Sequence, residues 1–218
     1  MNNIVQNNLI LFCTILLNLN TSPSLAQPNS LNLITHLANT DNKPFWMKSN
    51  RWGVYQGNRV SLNFNYNSRK FNFLSLNGDI VKAGNDLQII EGNLSLGIKN
   101  YQFVFGKIKY FHGIADHELS SGSLIQSKNA EPIPKILLKN AYPFNIKIKK
   151  IKLLINAGLS HGLIEKGDYI AQPQLHEKWA NIKINNNNLS LHLGLVHNAI
   201  FGGGTNEFGL LPSSPKDF

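Results

Sequence analysis

Histidine is the residue type in this chain with the widest chemical range, because imidazole can bind a metal, transfer a proton or donate a hydrogen bond. Five of the seven histidines fall in one central stretch or near predicted strand ends: His112, His117, His161, His176 and His197. A metal site needs three or four converging ligands, and no His-Glu-x-x-His pattern occurs, because His176-Glu177 is followed by Lys178-Trp179-Ala180. We therefore expect no metal and no cofactor. Instead, we expect neutral imidazoles in a polar interior, hydrogen-bonded among Asp116, Glu118, Glu177 and Lys178.

Paired carboxylates would be able to hydrolyse a glycosidic bond, one as the acid and the other as base or nucleophile. The candidate pairs are Asp116 with Glu118 and Glu165 with Asp168, but nothing in the sequence sets the separation within either pair. A serine nucleophile elbow is also not indicated, since Ser121-Gly122-Ser123 lacks the strand–turn–helix setting that it requires. We predict that the protein is not an enzyme, with a surface hydrolase of glycan or lipid as the weaker alternative.

The segment 120–134 is rich in hydroxyl, amide and proline residues. In one interpretation, its side chains hydrogen-bond sugar hydroxyls. In the other, it is a structural plug loop that satisfies its own backbone, with Pro132 and Pro134 fixing an extended exit. Both interpretations predict an ordered loop. The candidate polysaccharide-binding or ordered-loop residues are Ser120, Ser121, Ser123, Ser127, Asn129, His161, His176, Glu177 and His197.

A basic run follows, in a chain whose 21 Lys and Arg exceed its 12 Asp and Glu by a net charge of +9. The run consists of Lys147, Lys149, Lys150 and Lys152. It would either contact a polyanion, such as an acidic polymer or anionic lipid headgroups, or form a solvated hairpin whose lysines deter edge pairing. No nucleic-acid partner is expected, because the N-terminal residues predict an export signal.

The N-terminus has the pattern of that export signal. The apolar run over residues 9–17 is too short to cross a bilayer as a helix. Pro23 breaks the run, and Ser24-Leu25-Ala26 supplies the small residues that a signal peptidase requires. We predict a signal peptide over residues 1–26. The single cysteine, Cys13, would leave with it, so no disulfide is expected.

Past residue 40, apolar residues recur at every second position, which is the period of a β-strand. The clearest runs are 60–66, 94–98, 151–159 and 189–195, with others near 70–82, 100–110, 134–141 and 174–184. A short stretch over residues 30–39 is the one helical candidate. We predict an all-β chain with antiparallel neighbours.

Two β architectures fit this pattern. A soluble sandwich buries the apolar side of each strand, whereas a membrane barrel turns that side to lipid and spans the bilayer in about 9–11 residues per strand. Lys, Asn, His and Gly on the polar sides of long strands favour the barrel. Its aromatic girdles would be formed by residues near strand ends: Tyr66, Tyr101, Tyr110, Trp179 and Phe201.

A series of motifs sharpens this expectation. Residues 117–136 carry the sequence HELSSGSLIQSKNAEPIPKI. Around them, in order, stand Pro44-Phe45-Trp46, Asn50-Arg51-Trp52-Gly53, Leu159-Ser160-His161-Gly162, Leu175-His176-Glu177-Lys178-Trp179, Gly194-Leu195-Val196-His197-Asn198-Ala199, Gly202-Gly203-Gly204 and Leu211-Pro212-Ser213-Ser214. The series resembles the Wzi-type capsule assembly family of bacterial outer-membrane β-barrels. The resemblance implies an antiparallel transmembrane β-barrel that binds or anchors exported capsular polysaccharide or exopolysaccharide at the cell surface, without catalysis. A passive outer-membrane porin is the alternative from another functional class.

The chain is roughly half as long as members of that family. Its last residues do not read as a closing strand, because Pro215 lacks a backbone donor. We therefore expect a truncated product with a lead segment over residues 27–43, which holds the helical candidate. A partial (half) barrel would follow over residues 44–218, with an open sheet edge near residues 189–201. The expected partners are polysaccharide and outer-membrane lipid.

Overall fold

The computed structural model of the chain describes residues 29–37, 45, 49–54, 58–67, 74–113, 119–123, 126–186 and 189–214. They form one antiparallel sheet, which confirms the predicted all-β fold with antiparallel neighbours. The strands, in chain order, are β1 (Ser30–His36), β2 (Arg59–Asn67), β3 (Leu74–Ala83), β4 (Asp86–Ile98), β5 (Tyr101–Lys107), β6 (Pro134–Asn140), β7 (Phe144–Ile148), β8 (Ile151–Leu163), β9 (Ala171–Asn186), β10 (Leu189–Thr205) and β11 (Gly209–Leu210). The predicted signal peptide and Cys13 lie outside the described residues.

The first strand corrects one prediction. The helix expected over residues 30–39 is wrong, because residues 30–36 form β1 and pair antiparallel with β2. Leu31 and Leu33 alternate with Asn32 and Ile34, so the local period is two and not 3.6. The backbone groups of β2 satisfy those of β1 through seven paired positions, which favours the strand over an isolated helical turn. Residues 38–40 lie outside the described part of the chain.

Alternation along the strands gives the sheet two chemically opposite faces. The outer face carries exposed apolar side chains: Val60, Leu62, Phe64, Leu76, Ile98, Tyr101, Phe105, Ile136, Leu159, Leu189, Leu191, Leu193 and Leu195. The inner face carries buried polar side chains: Arg59, Ser61, Asp79, Asn93, Ser95, Lys135, Ser160 and Glu177. Leu195 is 78% exposed, whereas Ser160 is 1% exposed and Glu177 is 2% exposed. This distribution is the reverse of that in a soluble sandwich.

A small apolar cluster interrupts the polar inner face near the ends of β2 and β3. It consists of Val54, Val81, Ala83 and Ile90, with Trp52 packed against it. A β-bulge supplies the inward side chain of Ile90, since the register of β3 and β4 shifts after the pair Asp79–Glu91 and leaves Ile90 as the additional residue. The cluster therefore fixes the segment that precedes β2 against the sheet.

The two ends of the sheet differ in their connections. At one end, the short-turn end, the strands are joined by residues 68–73, 99–100, 149–150 and 187–188. The other end, the long-connection end, holds the two longest connections, residues 37–58 and 108–133, together with residues 84–85, 164–170 and 206–208. Most of the residues that connect the strands, and that could form a binding surface, therefore lie at one end of the sheet.

β6 and β7 occupy one position beside β8, as two pieces of an interrupted strand. β6 pairs with residues 158–162 of β8, and β7 pairs with residues 151–155. Asn140 bridges the interruption, because Ala157 N donates to Asn140 Oδ1 at 2.6 Å and Asn140 Nδ2 donates to Ile155 O at 3.2 Å. One side-chain amide thus replaces the ladder hydrogen bonds that the break removes.

The sheet is open: β1 forms one edge, and β10, with the two-residue β11 paired to its last residues, forms the other. Residues 189–200 of β10 pair with β9 on one side, and the described strands provide no partner on the other side. This confirms the predicted open edge over those residues. Eight antiparallel steps separate β1 from β10, so the two edge strands run in the same direction and direct closure between them would require a parallel pair. No helix in the described ranges is long and apolar enough to cross a bilayer.

Three of the five residues predicted to form aromatic girdles lie on the outer face. Tyr66 and Tyr101 lie exposed on the outer face at the short-turn end, where Tyr101 meets Phe144 edge to face at 6.4 Å. Phe201 lies on the outer face toward the other end. The prediction is wrong for Tyr110 and Trp179. Trp179 shares the inward phase of Glu177 two positions earlier, and Tyr110 lies beyond the end of β5.

Candidate functional site

The connection between β5 and β6 runs over residues 108–133. We refer to its described parts, residues 108–113, 119–123 and 126–133, as the crossing segment, because they contact the inner face. Lys109, near its start, is ion-paired with Asp79 of β3. Near its end, Gln126 Nε2 donates to Glu177 Oε1 of β9. The described parts of the segment are thus tied to strands on both sides of the sheet. This is the ordered loop on the polar side that both sequence interpretations predict.

Glu177 is the centre of the strongest set of contacts between the crossing segment and the sheet. Its Oε2 atom accepts from Lys135 Nζ at 2.8 Å and from Ser160 Oγ at 2.5 Å. The side chains of Lys135 and Glu177 are 6% and 3% exposed. Gln126 occupies the other carboxylate oxygen. Because donors engage both of its oxygens, the Glu177 carboxylate attaches the crossing segment and β6 to β9.

Aromatic packing adds to this attachment. The His112 ring stacks on Trp179 at 5.6 Å and 20°, and the Tyr110 ring lies 6.2 Å from the same indole. Burial is the main cause that lowers the pKa of His112, so its imidazole is held neutral. Burial, followed by the nearby carboxylate of Glu177, raises the pKa of Tyr110. The start of the crossing segment is therefore attached to the sheet through the uncharged rings of Tyr110 and His112.

A close approach to glycine accommodates the Trp179 indole. Gly158 of β8 is the direct partner of Trp179 in the register of β8 and β9. A Cβ atom at Gly158 would lie 2.7 Å from Trp179 Cζ2, closer than real Cβ contacts permit. Glycine at this position thus leaves room for the ring on which His112 stacks.

An amide ladder organises the other half of the inner face. Asn65 Nδ2 donates to Asn77 Oδ1, and Asn77 Nδ2 donates to Asn93 Oδ1 at 3.0 Å. Asn93 Nδ2 continues to Glu91 Oε1 at 2.9 Å. One amide from each of β2, β3 and β4 thus extends the register of these strands into side-chain hydrogen bonds. The ladder ends at the carboxylates that hold Lys109.

A cavity of about 250 Å³ opens at the long-connection end, between β1, β2, β3 and the segment 49–54. Its charged and ionisable lining consists of His36, Arg51, Arg59, Asp79 and Lys109. Arg59 and Asp79 are buried, at 6% and 7% exposed, and burial lowers the pKa of Arg51. A second cavity of about 260 Å³, with His192 and Lys183 in its lining, lies between β8, β9, β10 and the crossing segment.

The sequence analysis missed Arg51, Arg59 and Lys135 as site residues. Their partners are distant in the chain: Lys135 pairs with Glu177, 42 residues away. The available signal was the phase of alternation, since Arg59 and Lys135 fall on the polar sides of β2 and β6. A charged residue on the polar side of a strand with an apolar opposite side is a candidate for the inner face.

The hydroxyl groups predicted to contact sugar mostly bind their own loop. Ser120 Oγ donates to Gly122 O and accepts from Gly122 N, Ser123 Oγ accepts from Gln126 N at 3.2 Å, and Ser127 Oγ accepts from Asn129 N at 3.0 Å. The backbone carbonyl of Ser121 accepts from Lys128 N at 2.7 Å. Asn129 Oδ1 reaches beyond the loop and accepts from Asn50 N at 2.5 Å. These contacts favour the plug-loop interpretation for the crossing segment.

The three strand histidines do not join Glu177 in a polar interior. His161 and His176 are register partners on the outer face, with ring centroids 6.0 Å apart, and His197 lies in the same phase on β10. His161 Nε2 lies 2.9 Å from Gln174 Oε1. The expectation of a common polar interior is therefore wrong for these three histidines, since each lies in the phase opposite to Glu177. Of the five histidines singled out in the sequence, His112 contacts the inner face through Trp179, and His117 lies outside the described residues together with Asp116 and Glu118.

The four lysines of the basic run lie at the short-turn end. Lys147 and Lys152 are register partners in β7 and β8, and Lys149 and Lys150 form the turn between them. All four are exposed, and Lys149 has a positive φ of 54°. They lie at the end of the sheet opposite to the cavity with Arg51. The predicted lysines and the cations that line the cavity are therefore not brought together.

The carboxylate pairs considered for hydrolysis do not form a buried site within the described residues. Glu165 and Asp168 lie exposed in the connection between β8 and β9, while Asp116 and Glu118 fall outside those ranges. The described part of the chain holds no group of three or more His, Cys, Asp or Glu side chains that could bind a metal ion.

Comparisons with known proteins return no relatives. No protein-family model, curated protein or solved structure shows a significant match to this chain.

Proposed function

We propose that this chain forms wall strands of an outer-membrane β-barrel that binds exported capsular polysaccharide or exopolysaccharide at the cell surface, without catalysis. The observation that carries the membrane part is the reversed distribution of the two faces, with apolar side chains exposed on the outer face and ion pairs buried on the inner face. Hydrocarbon accepts an apolar outer face, and a closed sheet satisfies the backbone there. In water, a face with this much contiguous apolar surface would promote association.

The asymmetry between the two ends supports the same assignment. Outer-membrane barrels have short turns on the periplasmic side and longer loops on the extracellular side, with aromatic girdles at the interfaces. Here the short-turn end carries Tyr66 and Tyr101 on the outer face, with Tyr142 and Phe144 close by. In the proposed orientation, the cavity with Arg51 and the two longest connections lie toward the outside of the cell.

The polysaccharide part of the proposal rests on the motif series and on the crossing segment. A segment attached across the inner face at Asp79 and Glu177 would obstruct free diffusion, which favours a binding protein over a porin. A passive porin is the second candidate, and the 260 Å³ cavity beside the crossing segment is the observation in its favour. The two candidates predict different electrical behaviour in a bilayer.

The test uses the chain refolded into liposomes and planar bilayers. The proposed binding protein retains acidic capsular polysaccharide on the liposomes, in preference to neutral dextran, and gives no steady channel conductance. Conductance without polysaccharide retention would establish the porin alternative. A chain that stays soluble without detergent and does not float with liposomes would contradict the membrane assignment itself.

A further inference from the structure

The cavity between β1, β2, β3 and the segment 49–54 is lined by more positive than negative charge. The cations are Arg51, Arg59 and Lys109. The carboxylate in its lining is Asp79, and Glu91 stands behind it, with its Oε2 atom 4.0 Å from Lys109 Nζ. Among the described lining residues, three cations face one carboxylate, so the cavity carries an excess of positive charge.

The carboxylates are already committed to partners other than Arg51. Asp79 is paired with Lys109. With its amide nitrogen turned toward Asp79, Asn63 Nδ2 also donates to Asp79 Oδ1 at 2.7 Å and to Oδ2 at 3.1 Å. Glu91 receives hydrogen bonds from Asn93 and from the backbone of Lys109. The two carboxylates therefore have little capacity left to accept a hydrogen bond from Arg51.

Arg51 is the cation with an open donor. Its Nε atom is buried and has no hydrogen-bond partner among the described residues. Arg51 and Arg59 both line the cavity, so two guanidinium groups face the same space. An anion bound between Arg51 and Arg59 would accept the hydrogen bond that Arg51 Nε can donate. It would also offset the positive charge of the two guanidinium groups.

The rest of the lining suits a small ring attached to that anion. Trp52 offers an aromatic surface that is packed against the apolar cluster and therefore fixed in position. Asn50, Ser61 and Asn63 supply amide and hydroxyl groups around the opening. The volume of about 250 Å³ admits a group of roughly monosaccharide size and not a large ligand.

We propose that this cavity binds the carboxylate of an acidic sugar, with Arg51 and Arg59 as the recognition residues. The planar guanidinium fork matches a carboxylate in two parallel hydrogen bonds, and a carboxylate is the anion that an acidic polysaccharide of the proposed function carries. The sugar ring rests on the proposed polysaccharide function, whereas the anion follows from the cavity alone.

The experiment measures binding of sodium glucuronate to the refolded full chain by calorimetry, with methyl glucoside and inorganic phosphate as comparison probes. Glucuronate is expected to bind, methyl glucoside to show no detectable binding, and phosphate to bind at least tenfold more weakly. Arg51→Gln is expected to weaken glucuronate binding by about 10- to 100-fold, the loss of charge-assisted hydrogen bonds. The matched control is Lys166→Gln, which removes an exposed charge from the connection between β8 and β9 and is expected to change binding less than twofold.

Equal binding of glucuronate and methyl glucoside, or an Arg51→Gln variant with unchanged affinity, would overturn the inference. Phosphate binding as tight as glucuronate binding would overturn the assignment to a carboxylate. If Arg51→Gln fails to refold, Arg51→Lys decides, because it keeps the charge and loses the planar fork, and unchanged affinity would then count against the proposal. Loss of glucuronate binding in a chain that still inserts into liposomes contradicts this inference alone, and failure to insert contradicts the proposed function alone.

Discussion

The inner and outer faces of this sheet are built by the same strands, yet they are stabilised in different ways. On the inner face, Glu177 collects donors from β6, β8 and the crossing segment, so each side chain depends on several elements. On the outer face, Leu193 and Leu195 are half-exposed or more, so their stabilisation depends on what surrounds the protein. The inner face therefore specifies how the strands and the crossing segment fit together, and the outer face specifies the environment.

The largest expected effect comes from breaking the inner face at Glu177. Glu177→Ala leaves the buried Lys135 ammonium without its carboxylate, and removal of one partner from a buried pair costs about 3 to 5 kcal/mol. Urea unfolding of the refolded chain measures the loss. The exposed Glu165→Ala variant is the control, and we expect it to stay within about 0.5 kcal/mol of the unchanged protein. Equal effects of the two variants would show that the Glu177 network is not a source of stability.

Charge placed on adjacent residues of β10 tests the outer face. Leu193→Arg turns a cation to the proposed lipid side, and we expect it to disfavour insertion by about 2 to 4 kcal/mol near the bilayer midplane. His192→Arg turns the same side chain to the inner side, where the 260 Å³ cavity has room, and should be tolerated. Liposome flotation compares the two, and equal insertion would show that the faces do not differ toward lipid.

A smaller effect is expected from overfilling the inner face at Gly158. Gly158→Val forces Trp179 to move, because the ring occupies the space of the new side chain, and overpacking costs about 1 to 3 kcal/mol. Trp fluorescence and urea unfolding measure the change. Ala157→Val, one position earlier and on the outer face, adds the same side chain without reaching Trp179. If Gly158→Val leaves the fluorescence unchanged, the ring does not lie over that position.

The smallest effect concerns pH and His112. Since burial lowers the pKa of His112 from 6.5, the folded chain holds the imidazole neutral while the unfolded chain takes up a proton first as the pH falls. We expect attachment of the crossing segment to weaken below about pH 6.5, by about 1 kcal/mol per pH unit until the folded group also titrates. Hydrogen exchange in residues 108–113 at pH 7.5 and 5.5 measures this. The His112→Leu variant should lose that pH dependence, and a variant that keeps it would assign the effect to another group.

The sequence predicts the strands well where the alternation is long, and less well where it is short or interrupted. The Leu189–Leu195 alternation locates β10 and its open edge. β1 offers just Leu31 and Leu33 as outward apolar residues, so it is mistaken for a helical turn. β7 is missed, because the predicted run near 134–141 ends before it. The break at residues 141–143 is bridged by the side chain of Asn140, which no periodicity shows.

The site is harder to predict than the strands because its members come from distant parts of the chain. The crossing segment is recognisable as an ordered polar loop, but its attachment to Glu177 through Gln126, 51 residues away, is not. The histidines on β8 and β9 show the opposite error. Their residue type suggests an interior role, whereas their phase of alternation places them on the outer face. Phase is thus a better guide than residue type in a sheet of this kind.

The most direct test of the central claim is to measure whether each face of β10 contacts lipid or water. Single cysteines at positions 192 and 193, in a chain that also carries Cys13→Ser, are labelled with a fluorophore after insertion into liposomes. The account predicts that a lipid-borne quencher acts on the label at position 193 and that iodide acts on the label at position 192. Quenching of both labels by iodide alone would contradict it, because the apolar face would then meet water.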